Sequence, residues 1–356
     1  MGVNGTNLTI TIRATTRVPL ETAVVTGTIA GWDALPAPAA GHQTLGLVGA
    51  SQTRVLGDRA NQIPQGTRTV IVPVIGTTSV ADNLCVRNAL VNDCAWRLTT
   101  RTGPQAHFAL IVDQDGKGTP NDDSDDTVTL IGWAVKTGLT FTAGQSATGE
   151  SLALLTDAQL QSFTVAMTSP PSGLDAITAF PMLDLGADGR LPITVPALDL
   201  TSTMTRVPAL SGDLSAGRYD LLAQAQDAKD KADPGTLNWL HGVDPAATVA
   251  VGGWLPPPAG LSAAAGVYSF APVAGATLQT AELQTGPDTN VWQVSIFDGS
   301  SSFTLPTLTP DPLPTGMLQL SVSALRIPSL DLGNVAFDDA REALTGRASA
   351  RILFTR

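Results

Sequence analysis

"HFALIVDQDGKGTPNDDSDDTVTLIGWAV" spans residues 107–135. Its ends are apolar and rich in β-branched side chains. Its middle, Asp113 to Asp126, holds six aspartates and one lysine in fourteen positions. Strand propensity on both sides of a polar, glycine-bearing connection predicts a β-hairpin with an acidic loop. The same punctuation recurs in "LTITIRATT" (Leu8 to Thr16), "AVVTGTIAGW" (Ala23 to Trp32) and "RTVIVPVIG" (Arg68 to Gly76). Further on it recurs in "GRYDLLAQAQ" (Gly217 to Gln226), "NVWQVSIFDG" (Asn290 to Gly299) and "MLQLSVSALRI" (Met317 to Ile327). All of these read as strands. Helical signals are short and confined to Leu154–Phe163, Asp233–Gly242 and Asp338–Gly346, too few for a parallel α/β fold. The expectation is therefore an all-β chain made of two tandem antiparallel β-sandwich domains with few short helices.

A length of 356 residues accommodates two cores, because single cores stop growing near ~250–300 residues. The junction is placed at "AMTSPPSGLDAITAF" (Ala166 to Phe180), where Pro170-Pro171-Ser172-Gly173 breaks the strand pattern as a linker would. Domain one then covers residues 1–168 and domain two residues 169–356. Charged residues make up only 14% of the chain and the net charge is −11. With four lysines and no basic stripe, a nucleic-acid partner is not expected. No apolar run reaches the ~20 residues of a membrane helix, so no transmembrane segment is expected. An exported protein of this kind would have lost its leader, together with any lipid-bearing cysteine.

Two signatures repeat. "TIAGWDALPAPA" (Thr28 to Ala39) and "AVGGWLPPPAG" (Ala250 to Gly260) both run from an alternating strand into Gly-Trp and then a Pro-rich turn. "ITVPAL", "TRVPAL", "FTLPTL" and "LRIPSL" begin at residues 193, 205, 303 and 325. Proline removes a ladder donor, so a strand meeting it is at an edge, at its end or at a bulge.

The residues of "VVTGTIAGW" (Val24 to Trp32), "HFALIVDQDGKG" (His107 to Gly118) and "LTFTAGQSATGESLALL" (Leu139 to Leu155) resemble the carboxypeptidase-regulatory-like, or transthyretin-like, β-sandwich modules of bacterial exported proteins and surface lipoproteins. "AGRYDLLAQA" (Ala216 to Ala225) is similar to that family's Gly-x-Tyr strand. The resemblance implies a seven-strand-like, generally non-catalytic module that spaces, docks or presents a ligand. "DALPAPAAGHQTLGLVG" departs from it, replacing the usual Gly-Ala step into the second strand, and the segment around Cys85 is extra.

The acidic loop has two readings. Aligned as an EF-hand with Asp113 and Asp115 at positions one and three, it puts Lys117 at five and Ser124 at twelve, so the bidentate glutamate is missing. What stays open is a calcium-clamped connection, with Asp113, Asp115, Asp122, Asp123, Asp125 and Asp126 as ligands, or a solvated hairpin loop whose acidity keeps two sticky strands soluble. Cys85 and Cys94 are either a disulfide, worth about 2.5–3 kcal/mol for so short a loop, or two neighbouring thiols. Among six tryptophans, Trp32 and Trp254 sit at Gly- and Pro-rich turns and are the candidates for stacking against a ligand.

No Gly-x-Ser-x-Gly elbow, phosphate loop or metal-binding His motif is present. The expected function is a non-enzymatic, exported or cell-surface binding, adhesion or structural module contacting protein or glycan, with calcium as its one candidate cofactor. A subunit of an extracellular filament, associating through edge or terminal strands such as "LTITIRATT" or "RILFTR", is one alternative. A glycan-active enzyme is the other, since 31 acidic residues could supply a catalytic pair.

Overall fold

Alternating segments become strands wherever the two can be compared. The computed structural model describes residues 20–54, 59–63, 65, 82–119, 125–168, 170–193, 198–199, 203–227, 229, 234–286, 290–307, 313–328, 330 and 343–356. The predicted strands at Leu8–Thr16 and Arg68–Gly76 lie outside these. The N-terminal strands are β1 Thr22–Ala30, β2 His42–Ala50, β3 Leu84–Arg87, β4 Asn92–Asp93, β5 Trp96–Arg101, β6 Gly103–Asp115, β7 Thr127–Phe141 and β8 Ser146–Ala153. They form a three-stranded sheet, β5-β1-β8, and a five-stranded sheet, β4-β3-β2-β6-β7.

Strand β6 explains how these sheets stack. Every residue from Gln105 to Val112 is buried. Ala109 and Ile111 pack with Val25, Trp96 and Leu152 beneath the three-stranded sheet. Phe108 and Leu110 point the other way, into a core with Phe163, Leu183, Tyr219 and Val251. Burying each such side chain contributes about 1.5–3 kcal/mol. A strand covered on both faces carries an unbroken apolar run, so "AHFALIV" marks a middle layer and not one wall of a two-layer sandwich.

The chain continues through β9 Leu160–Met167, β10 Ala176–Asp184, β11 Arg190–Pro192, β12 Leu198–Asp199, β13 Thr203–Pro208, β14 Arg218–Gln226, β15 Gly235–Val243 and β16 Thr248–Val251. It ends with β17 Ser262–Ala264, β18 Val267–Ser269, β19 Leu278–Gln284, β20 Asn290–Ile296, β21 Ser302–Thr304, β22 Met317–Arg326 and β23 Gly346–Thr355. One long sheet runs β11-β10-β14-β15-β23-β22-β19-β20, with β12 also beside β10. Two small sheets, β13-β9-β16 and β17-β18-β21, complete the set. The second of these covers β19 and β22 through Tyr268, Phe270, Leu283 and Leu320.

The fold is all-β, as the alternation predicts. Two pairings, β1 with β8 and β9 with β16, are parallel, which antiparallel sandwiches would not have. The Pro170-Pro171 segment lies between β9 and β10, and the largest core draws on residues from both sides of it.

The helical expectations at Leu154–Phe163 and Asp233–Gly242 are corrected. Thr156 does cap a turn, its N–H donating to Gln159 Oε1 at 2.9 Å, but the 3-10 turn Asp157–Gln159 passes straight into β9. There Phe163 and Val165 alternate into the core and pair with β13. "GTLNWLHGV" is β15, because ladders to β14 and β23 satisfy its backbone better than one isolated turn would. Most of Asp338–Gly346 lies outside the described residues.

Both repeated signatures have physical counterparts. Gly31 and Gly253 adopt φ of 90° and 64°, a left-handed conformation that turns each strand end into the following tryptophan. Pro208 ends β13, while Pro306 and Pro328 stand two residues beyond the ends of β21 and β22. Tyr219 of the Gly-x-Tyr strand is fully buried and its hydroxyl donates to the Pro208 carbonyl. Burial pushes that phenol well above its ordinary range.

Candidate functional site

Register across the central sheet brings distant residues to one end of it. Asn92 faces Arg87, Arg87 faces Thr44, and Thr44 faces Asp113. His42 lies opposite Asp115 on β2 and β6. Its Nδ1 is 2.8 Å from Asp113 Oδ2 and its Nε2 is 3.8 Å from Asp115 Oδ2. The imidazole is thus held between two carboxylates spaced two residues apart on one strand face.

The rest of the described loop is wired internally. Lys117, at φ 48°, closes back on Asp115 through its ammonium and its backbone N–H. Hydrogen bonds from that side chain and that N–H hold the Asp115 carboxyl below its usual range. Asp125 accepts from Thr119 Oγ1 at 2.8 Å, and Asp126 accepts from Gln114. So the structure brings Asp113, Asp115, Asp125 and Asp126 to one sheet end, each with a protein partner. Asp122 and Asp123 lie outside the described residues. Among the described residues no three His, Cys, Asp or Glu side chains converge as a metal site.

At the β4 edge of the same sheet lies an open groove of about 580 Å³, between the end of β1, the 3-10 turn Trp32–Ala34 and the segment Asn92–Ala95. Its frame is tied from several sides. Cys85 and Cys94 form a disulfide with Cα atoms 4.2 Å apart, joining β3 to the chain just after β4. Trp32 Nε1 donates to Asn92 Oδ1 at 3.0 Å, and Asn92 Nδ2 donates to Asp33 Oδ1 at 2.9 Å. Arg87 Nη1 donates to the Leu35 carbonyl at 2.6 Å and reaches those of Trp32 and Asp33. Trp32 is only 3% exposed, which removes it as a stacking face. Trp254 is half-buried, its Nε1 donating to the Thr168 carbonyl at 3.3 Å.

Taken together, this end carries Asp33, Asp93, Asp113, Asp115, Asp125 and Asp126 against Arg87 and Lys117. Carboxylates there outnumber these two cations, which favours the approach of positive charge.

A second constellation was invisible to sequence reasoning. Arg190, 1% exposed, places Nε 3.1 Å from Asp220 Oδ2 and 3.5 Å from Asp184 Oδ2, and its guanidinium carbon lies 4.8 Å from the Trp239 ring centre. Arg218 and Arg54 also reach Asp184 Oδ2, at 2.9 and 3.3 Å. His241 bridges Asp220 and the Leu344 carbonyl. Burial would raise the Asp220 pKa, but hydrogen bonds from His241 and the Gly242 N–H, with the Arg190 charge, outweigh it and the net shift is downward. Each aspartate stands among apolar strand residues, in "MLDLG" and "RYDLL", and a charge on a core strand was the available signal.

His107 is a third unpredicted feature. It is fully buried, stacks on Phe141 with ring centres 5.3 Å apart, and finds no hydrogen-bond partner for either ring nitrogen among the described residues. Burial, with the charge of Lys136, lowers its pKa to about 4.

No family model matches this chain. No curated protein matches it either. Among solved structures, a "putative adhesin" from Bacteroides ovatus ATCC 8483 aligns over 68% of this chain and 98% of its own, at 7% identity and a TM-score of 0.18. A leucine-rich repeat protein from Bacteroides thetaiotaomicron VPI-5482 aligns over 78% of this chain and 25% of its own, at 9% identity and a TM-score of 0.15. Among the described residues no helix is long and apolar enough to cross a membrane.

Proposed function

We propose that this chain is a non-enzymatic binding module of an exported or cell-surface protein, with the acidic end of its central sheet as the contact face. The observation that carries this is the row Asn92–Arg87–Thr44–Asp113, which sets the acidic β6–β7 loop and the β4 segment with Asp93 at the same end of a sheet whose strands β2 and β6 are buried on both faces. Loops presented by a rigid scaffold are where binding surfaces are built. The disulfide supports an oxidising compartment, and the transthyretin-like resemblance belongs to the same reading. Labelling intact cells with a membrane-impermeant amine reagent tests it. The protein is expected among the labelled species, whereas recovery only from the cytoplasm, with both cysteines as free thiols, would overturn it.

Asp33 and Asp93 on the walls of an open groove also favour a second reading, glycan cleavage by paired carboxylates. Release of reducing sugar from polysaccharides, lost in Asp33→Asn and Asp93→Asn variants, is its test. Strand donation by "RILFTR" is less favoured, because Met317–Arg326 already pairs with Gly346–Thr355 along its whole length.

A further inference from the structure

We propose that the groove between the end of β1 and β4 is a docking slot for an extended, lysine- or arginine-bearing segment of a partner protein. The inference deepens the binding-module reading and rests on it.

Strand edges come first. β5 pairs with β1 only as far as Gly27, opposite Trp96, whereas β8 continues beside Thr28, Ile29 and Ala30. Among the described residues, the last three of β1 are therefore laddered on one side alone. β4 is likewise laddered to β3 and to no other strand among the described residues. The groove lies between these two edges. Main-chain groups on an unladdered strand edge are a template for an added extended segment.

Charge selects the kind of segment. Asp33 and Asp93 are exposed on the groove walls. Of the cations flanking it in the chain, Arg87 is engaged by the carbonyls of Trp32, Asp33 and Leu35 and Arg97 by Asp82 at 3.5 Å. A basic side chain entering the groove would meet carboxylates with little opposing charge, and the field would steer its approach.

The walls are also fixed in advance. The disulfide, the Trp32–Asn92–Asp33 relay and the Arg87 contacts hold the turn and β4 in place, so little ordering remains when a segment enters.

The test uses the full chain and a fluorescein-labelled pentapeptide of alternating valine and lysine, followed by anisotropy. Saturable binding is expected that weakens with salt and falls at least tenfold in the Asp33→Asn/Asp93→Asn double variant. An Asp213→Asn/Asp298→Asn variant, with both changes exposed and away from the acidic end, should bind within twofold of the parent. Methylating the peptide's central backbone nitrogens should cost about tenfold, since strand pairing needs those donors. Equal affinity for the valine–glutamate peptide, indifference to the groove variant, or an equal loss in the Asp213→Asn/Asp298→Asn variant would each overturn the proposal. If the peptide fails while the protein is still labelled on intact cells, the groove assignment falls and the surface-module reading stands.

Discussion

His107 is a base held where burial disfavours its charged form. Its folded pKa of about 4 lies below the unfolded value of 6.5, so the unfolded chain takes up more protons as pH falls between them. Stability is then lost progressively from pH 6.5 downward and levels off near pH 4, with a loss of about 2 kcal/mol by pH 5. Urea melts of the parent and of a His107→Phe variant at pH 7.5 and 5 measure it, and the variant should lack this component. Asp220 acts in a separate window. Its folded pKa is lowered, so its contribution persists above the ordinary carboxylate range and is lost only as pH falls further. Removing it by Asp220→Ala leaves the buried Arg190 guanidinium without its nearer carboxylate and should cost about 3–5 kcal/mol. The pair Arg190→Met with Asp220→Leu removes both charges from the interior, while Asp184 keeps Arg54 and Arg218. Urea midpoints for the pair should return most of the way to the parent.

At the level of elements, what was legible is what carries a local period. β1, β7, β14, β20 and β22 each alternate, and each was readable from its own residues. The capping residue Thr156 was legible as well, but not the length of its turn, because Phe163 and Val165 belong to a core assembled from far along the chain. For the same reason Asp184 and Asp220 could not be nominated as neighbours, since only the β10–β14 register, Asp184 opposite Arg218 and Met182 opposite Asp220, brings them together. The acidic loop was legible as a connection between β6 and β7, whereas the His42 contact depended on β2 pairing with β6. Two predictions belong here. Replacing Cys85 and Cys94 by serine should lower stability by about 2.5–3 kcal/mol, read from chemical denaturation. For the loop, a calcium chelator is expected to leave the thermal midpoint unchanged, because each described carboxylate there already has a protein partner. A drop of several degrees, abolished in an Asp113→Ala/Asp115→Ala variant, would instead place an ion in the loop.

Across the whole molecule, the two sequence-defined halves share a core. Phe108, Leu110 and Trp133 lie against Phe163, Leu183 and Val251, and the β10–β11 hairpin reaches back to Gln52, whose N–H and carbonyl pair with Arg190. Arg101 and Ser51 add contacts to the Asp188 carbonyl. Residues 1–168 expressed alone should therefore expose one face of the central sheet, bind a hydrophobic dye and melt with a broadened transition, while the full chain melts cooperatively. A sharp, dye-free transition in the fragment would show that this part folds by itself. The double covering of β6 also sets a clock. Its amides lie between β2 on one side and the edge strand β7 on the other, under side chains packed on both faces, so solvent reaches them only when β7 peels away or the covering layers separate. In heavy water the protons of Ala109, Leu110 and Ile111 should be the last exchanged, at the pace of whole-chain unfolding, and their lifetime alone would report how long one molecule keeps its fold.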